Sequence, residues 1–167
     1  MPKLNRDAQH KITFTLNGKE VTDFAEPRML LTDFLRNKLG VTGCHVGCEH
    51  GVCGACTLQI DGKAQRACLT LAIQVDGRRV DTVESLADPE SEMSDLQQNF
   101  KTHHGLQCGY CTPGILMSAS DYLTRNPNPT EEEVRDLLSG HLCRCTGYAG
   151  IVKAILATVR ERQGTAE

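Results

Sequence analysis

The 167-residue chain has no tryptophan and only 4% aromatic residues, so any core has to be packed from Leu, Ile, Val and Ala rather than from large rings. It also lacks any apolar run near the ~18 residues of a membrane span, which excludes insertion as a helix. There is no excess of either charge: 18 Lys and Arg face 21 Asp and Glu, interleaved along the chain, for a net charge of -3. Without a basic stripe, a nucleic-acid backbone is not an expected partner. The opening Met1 to His10 is polar and charged and has no apolar h-region, so no secretory signal is read there. The expected compartment is the cytoplasm, where paired structural disulfides are rare. No repeat, low-complexity tract, Ser-His-Asp set or paired-carboxylate arrangement stands out. The length suits one domain or two small ones, not a large multi-domain catalytic chain.

Against these absences stand nine cysteines, too many for an ordinary cytoplasmic enzyme and odd in number. Their setting is given by the hydropathy pattern. Ile12, Phe14 and Leu16 alternate, Asn17-Gly18 supplies residues that tolerate the positive φ of a tight turn, and a second strand runs from Val21 to Phe24. Leu31, Phe34, Leu35 and Lys38 predict a short amphipathic helix stopped by Gly40. Next come Gly43, Gly47, Gly51 and Gly54 among four cysteines, a strand Thr57 to Ile60, an Asp61-Gly62 turn and a strand near Cys68.

The acidic stretch Glu84 to Asp95, with Asp88-Pro89 inside it, interrupts the strand-like pattern and predicts a boundary: a first domain over 1–84, a linker over 85–92 and a second domain over 93–167. Beyond it the pattern is helical. A helix runs through Leu96 and Phe100. Thr112-Pro113 reads as N-cap and first residue of another, with Ile115, Leu116, Ala119, Tyr122 and Leu123 as its stripe, broken by Asn126-Pro127-Asn128-Pro129. Thr130 to Glu133 is a capping box before Val134, Leu137 and Leu138, with Gly140 after the helix end. A last helix carries Ile151, Val152, Ile155, Leu156 and Val159, completing a small four-helix bundle.

Eight of the cysteines fall into two groups. Cys48, Cys53, Cys56 and Cys68 read C-x4-C-x2-C followed by a distant Cys, the plant-type spacing for a [2Fe-2S] cluster. The glycines let backbone N–H groups approach and donate to sulfur, which raises the reduction potential. Cys108, Cys111, Cys143 and Cys145 form a C-x2-C and a C-x-C at two helix entrances, where unpaired N–H groups and the positive dipole end favour a negatively charged centre. Zinc is the rival, because C-x2-C pairs are common zinc half-sites. Three thiolates on one loop and the C-x-C of Cys143-Arg144-Cys145 fit it poorly. Cys48-Glu49-His50 matches C-x-H, but no C-x2-H occurs in the chain, so Rieske ligation is excluded, and no Gly-Lys-Ser/Thr completes a phosphate loop. His45, His50, His103, His104 and His141 read as polar neighbours of the cysteines rather than ligands. Cys44 is left over and reads as a small packed thiol.

Three stretches in order, Gly47-Cys48-Glu49-His50-Gly51-Val52-Cys53-Gly54-Ala55-Cys56-Thr57, Gln107-Cys108-Gly109-Tyr110-Cys111-Thr112-Pro113-Gly114 and Leu142-Cys143-Arg144-Cys145-Thr146-Gly147-Tyr148, resemble the iron-sulfur subunit of the molybdenum hydroxylases, the xanthine oxidase family in its separate-subunit form. The resemblance spans about Ile12 to Val159. It implies an α+β chain: a ferredoxin-like β-grasp domain with the first cluster, then an all-α four-helix domain with the second. It implies that Cys48, Cys53, Cys56 and Cys68 hold the flavin-side cluster and Cys108, Cys111, Cys143 and Cys145 the molybdenum-side cluster. Gln107 and Cys145 match positions that contact the pterin. Partners implied are a large subunit with molybdopterin, in the cytosine dinucleotide form, and a medium subunit with FAD, assembled as a dimer of heterotrimers. The implied role is an electron wire in an oxidoreductase that hydroxylates its substrate with oxygen from water, with no turnover by this chain alone. The C-terminal motif leans toward N-heteroaromatic substrates over aldehydes, purines or carbon monoxide. A free-standing two-cluster carrier and a zinc-binding interaction module are the alternatives. Cys44 departs from the family, which often has threonine or another residue there.

Overall fold

A computed structural model describes residues 5, 8–87 and 93–164. Strands β1 (His10–Leu16) and β2 (Lys19–Ala25) form the expected hairpin, closed by Asn17 and Gly18 at φ 49° and 78°. The same device, Asp61 and Gly62 at φ 51° and 76°, joins β3 (Thr57–Ile60) to β4 (Lys63–Arg66). Both turns hold two successive residues at positive φ, as the twist of an antiparallel pair demands. Among the described residues the sheet has five strands in the order β2-β1-β5-β3-β4. The short β5 (Arg79–Asp81) runs parallel to β1 and antiparallel to β3, so it ties the two hairpins together. Helix α1 begins as an α-turn at Leu31–Asp33 and continues π-wound over Phe34–Lys38, laying Leu31, Phe34 and Leu35 on the sheet.

Alternation along β1 decides which face is covered: Ile12, Phe14 and Leu16 are buried in a core with Leu58, Ile60, Val75 and Val80. Helices α2 (Asp95–Thr102), α3 (Thr112–Arg125), α4 (Glu131–Ser139) and α5 (Ala149–Arg162) enclose a second core of Leu96, Phe100, Ile115, Leu123, Val134, Ile151 and Ile155. Capping boxes start α2 at Ser94 and Gln97 and α4 at Thr130 and Glu133, the latter as the sequence pattern predicts. Helices α2 and α5 are joined at their rims by Arg162 Nε donating to Asp95 Oδ2 at 2.6 Å and Asn99 Nδ2 donating to Glu161 Oε2 at 2.7 Å.

Two local expectations are corrected. Cys68 lies on a 3-10 turn, Ala67–Leu69, because β4 ends at Arg66 and the chain bends there to bury Ala67. Thr112 is not the N-cap of α3. Cys111 holds that position with helical φ −81° and ψ −16°, so the turn has already closed, and the Thr112 hydroxyl is buried without a partner among the described residues. Residues 88–92, which include Asp88-Pro89 and most of the expected linker, lie outside the described residues, as do residues 1–4, 6 and 7 of the polar opening segment.

The sheet and the helices meet along β3, β4 and α3. Gln59 Nε2 donates to Met117 O at 3.0 Å, Arg66 Nη2 to Gly140 O at 2.6 Å, and the Ala64 N–H to Asp121 Oδ2 at 3.0 Å. Burial pushes the Asp121 carboxyl up, but Arg125 and the Ala64 N–H outweigh it and hold it below the usual range. At the closest point Gly114, in the first turn of α3, lies against the backbone of Gly54, where an added Cβ would collide with the Gly54 carbonyl oxygen.

Candidate metal centres

In the first group Cys68 joins from the turn after β4, and Cys48, Cys53 and Cys56 sit on the loop between α1 and β3. Three of its residues adopt positive φ, Glu49, Gly51 and Gly54 at 56°, 84° and 77°, and this coils the chain so that its N–H groups point inward. The Cys53 N–H donates to Cys48 Sγ at 3.4 Å. With the His50 N–H it draws the half-buried Cys48 thiol down to about 6. Gly47 is needed for closeness, since a Cβ there would stand 2.9 Å from Cys53 Sγ. Cys56 and Cys68 are buried beneath the loop, and burial followed by contact with the Cys56 thiol pushes Cys68 up to about 11. The loop is anchored from outside by Arg36, whose Nη1 donates to Thr42 O at 2.7 Å and Cys44 O at 3.0 Å, and by Glu84 Oε1, which accepts from the Gly43 N–H at 2.7 Å.

Cys44 is 1% exposed, and its thiol donates to Cys56 O at 3.4 Å. Burial pushes it up to about 12, so it is a neutral packed thiol that supports the loop, as the sequence reading has it.

The second group gathers from two chain segments. Cys108 and Cys111 lead into α3, and Cys143 and Cys145 lie before α5. All four thiols line one cavity of about 160 Å³, whose wall is completed on the sheet side by Gly47 and Cys53 of the first loop. Burial, then contact with Cys143, raises Cys111 to about 12, while contact with Cys108 raises Cys145. Burial also pushes Cys143 up, but the Thr146 hydroxyl and N–H and the Cys145 N–H reverse this and leave it lowered. The dipole of the fourteen-residue α3 adds its positive end at Cys111.

The two groups share a pattern. Thiol meets thiol in pairs: Cys48 with Cys53, Cys56 with Cys68, Cys111 with Cys143, and Cys108 with Cys145. All nine cysteines are free of disulfides. Among the described residues no three His, Cys, Asp or Glu side chains converge closely enough for a single metal ion. Four thiols gathered as two pairs suit a binuclear centre with four thiolate ligands, whereas one zinc needs four ligands on a single point.

The sites adjoin. Leu142 N–H donates to Cys53 O at 3.0 Å, and Tyr110 stacks on His45 with centroids 4.8 Å apart while its hydroxyl reaches Val46 O. His141, next to Gly54, is 3% exposed and its Nε2 pairs with Ser118 Oγ at 2.8 Å; burial draws it down to about 4, so it is neutral. Gln107, Cys108 and Cys145 are exposed, as are Tyr110 and Leu142. Val52 and Leu69 are exposed over the first site. The sequence motifs include Gly114, Thr146 and Tyr148 without giving them a role of their own; a glycine in the first turn of a helix, where it disfavours helix formation, was the available signal for the first of these.

A family model described as a 2Fe-2S iron-sulfur cluster binding domain matches residues 30–100, and one described as a [2Fe-2S] binding domain matches residues 82–156. The chain is 56% identical over 146 residues to the nicotine 6-hydroxylase small subunit of Paenarthrobacter nicotinovorans, with 87% of each chain covered. It is 50% identical over 151 residues to the caffeine dehydrogenase subunit gamma of Pseudomonas sp. strain CBB1, covering 89% of this chain and 90% of that one. Among solved structures, quinoline 2-oxidoreductase from Pseudomonas putida 86 superposes with a TM-score of 0.88 at 48% identity, over 95% of this chain and 99% of that one.

Proposed function

Because the chain belongs to the iron-sulfur subunits of the molybdenum hydroxylases, we propose that Cys48, Cys53, Cys56 and Cys68 hold one [2Fe-2S] cluster and Cys108, Cys111, Cys143 and Cys145 another. The observation that carries this assignment is the cavity with all four thiols of the second group on its wall, beside a loop that pairs the thiols of the first. Each such cluster, when bound, takes up and returns a single electron. The chain's own contribution is electrostatic: loop N–H groups and the α3 dipole stabilise negative charge at the sulfurs, and the buried thiols exclude water.

Conversion of a C–H bond to C–OH with the oxygen of water releases two electrons and two protons, and the chain conducts those electrons one at a time. In this reading the second site faces a large subunit with molybdopterin cytosine dinucleotide, contacted by Gln107 and Cys145; the exposure of both residues supports this. The first faces FAD on a medium subunit, supported by the exposed Val52 and Leu69. The assembly is a dimer of heterotrimers in the cytoplasm; no helix of the described residues is long and apolar enough to cross a membrane. The substrate is an N-heteroaromatic ring, in keeping with the nicotine, caffeine and quinoline named for the relatives. The separate cores support a β-grasp domain over 1–84 and a four-helix domain over 93–167 joined by 85–92.

Iron and acid-labile sulfide analysis of the purified complex, with EPR after reduction, tests the reading: four irons per chain and two distinct [2Fe-2S] signals are expected. Stoichiometric zinc with silent EPR overturns it, and isolation of the chain without molybdopterin or flavin partners overturns the wire in favour of a free-standing carrier.

A further inference from the structure

The eight paired thiols do not receive the same donors. In the first site the contacts to sulfur come from the backbone, led by the Cys53 N–H on Cys48. In the second, among the described residues, Thr146 is the one side chain that brings a hydroxyl to a sulfur of the eight, with Oγ1 3.1 Å from Cys143 Sγ. The direction of that bond follows from its surroundings. Thr146 Oγ1 already accepts the Tyr148 N–H at 3.1 Å, and a sulfur bound to metal has no proton to give, so the hydroxyl hydrogen points at Cys143.

The remaining groups hold this arrangement in place. Tyr148 adopts φ 66°, a conformation that bulky side chains rarely take, and its phenol accepts the Cys143 N–H at 2.8 Å while donating to His141 O at 3.0 Å. The Cys143 N–H is thereby committed to the phenol, and its sulfur receives the Thr146 hydroxyl beside the Thr146 and Cys145 N–H groups. An O–H···S bond is strengthened by each added unit of negative charge on the acceptor, so it favours the reduced state over the oxidised one.

We propose that Thr146 sets the reduction potential of the second centre by donating its hydroxyl to the Cys143 thiolate, holding that potential above the value the backbone alone would give. No bond is made or broken and no proton moves; one electron is taken up, and the hydrogen bond shortens around the added charge. The proposal rests on the assignment of Cys143 as a cluster ligand.

The experiment is a redox titration of the intact complex followed by EPR, comparing the two [2Fe-2S] signals in the unaltered protein and in Thr146→Val, Thr146→Ser and Tyr148→Phe. The valine variant should lower the midpoint of the second signal by about tenfold in the reduced-to-oxidised ratio, about 59 mV for one electron, and leave the first signal in place. Serine should restore the unaltered potential. Tyr148→Phe loosens the same loop while keeping the hydroxyl on sulfur, so it should not reproduce the valine shift. An unmoved second midpoint in the valine variant overturns the proposal, as does an equal downward shift in the serine or phenylalanine variant. Thr146→Ala supplies the same reading where valine prevents assembly. Failure to find a second [2Fe-2S] signal in the unaltered complex overturns the ligand assignment itself, an outcome distinct from a signal whose potential ignores the hydroxyl.

Discussion

The two thiol sites reach the same end by different physical routes. The first is a coiled loop completed by one thiol from the turn after β4: its donors are backbone N–H groups, its shape depends on positive φ at Glu49, Gly51 and Gly54, and its buried thiols are Cys56 at the entry to β3 and Cys68 on that turn. The second is assembled from two segments far apart in the chain, and its field adds a helix end and a side-chain hydroxyl to its backbone N–H groups. A field made by a loop backbone is altered by changing the path of the chain. One made by a side chain is altered by a single atom. The second site is therefore where substitution adjusts a potential without disturbing the fold.

The largest effect expected is the loss of a centre. Cys56→Ser should abolish the first EPR signal and Cys111→Ser the second, each halving the iron, with the other signal retained. Loss of both signals from either change would mean that the two sites form one cooperative unit. Gly114→Ala comes next. Alanine in a helix is favoured by about 1 kcal/mol over glycine, yet here its Cβ would collide with the Gly54 carbonyl oxygen, so the helix has to retreat from the first loop. A net destabilisation of about 1–3 kcal/mol is expected in denaturant titration, with weaker spin–spin coupling between the two signals. A stabilised protein would show that the seam is loose.

Asp121→Asn probes the same seam through charge. The carboxylate is 7% exposed, pairs with Arg125 at 2.9 Å and accepts the Ala64 N–H. Its loss should cost about 1–3 kcal/mol at neutral pH, where the lowered carboxyl is fully ionised, while leaving both midpoints unmoved. The smallest effect belongs to Cys44→Ser, which should keep both signals and change stability by about 1 kcal/mol or less. Loss of the first signal in that variant would move a ligand from Cys48 to Cys44.

Much of this arrangement is legible in the linear chain because it is local. Asn17-Gly18 and Asp61-Gly62 specify their turns through the φ values that these residues tolerate, and Thr130 with Glu133 satisfies N–H groups within one helical turn. The less legible features depend on partners distant in sequence. Strand β5 is three residues long and finds its place only between β1 and β3. The position of Cys68 on a turn follows from where the chain must bend to bury Ala67.

By itself, then, the spacing of the cysteines sorted them into four, four and one, since C-x4-C-x2-C, C-x2-C and C-x-C keep neighbouring thiols within the reach of a few residues. Only the tertiary structure decided how the groups stand to each other: Gly114 against Gly54 and Leu142 bonded to Cys53. Contacts across 60 residues of chain leave no periodic trace, because the packing of two cores, rather than the local reach of the backbone, brings those atoms together.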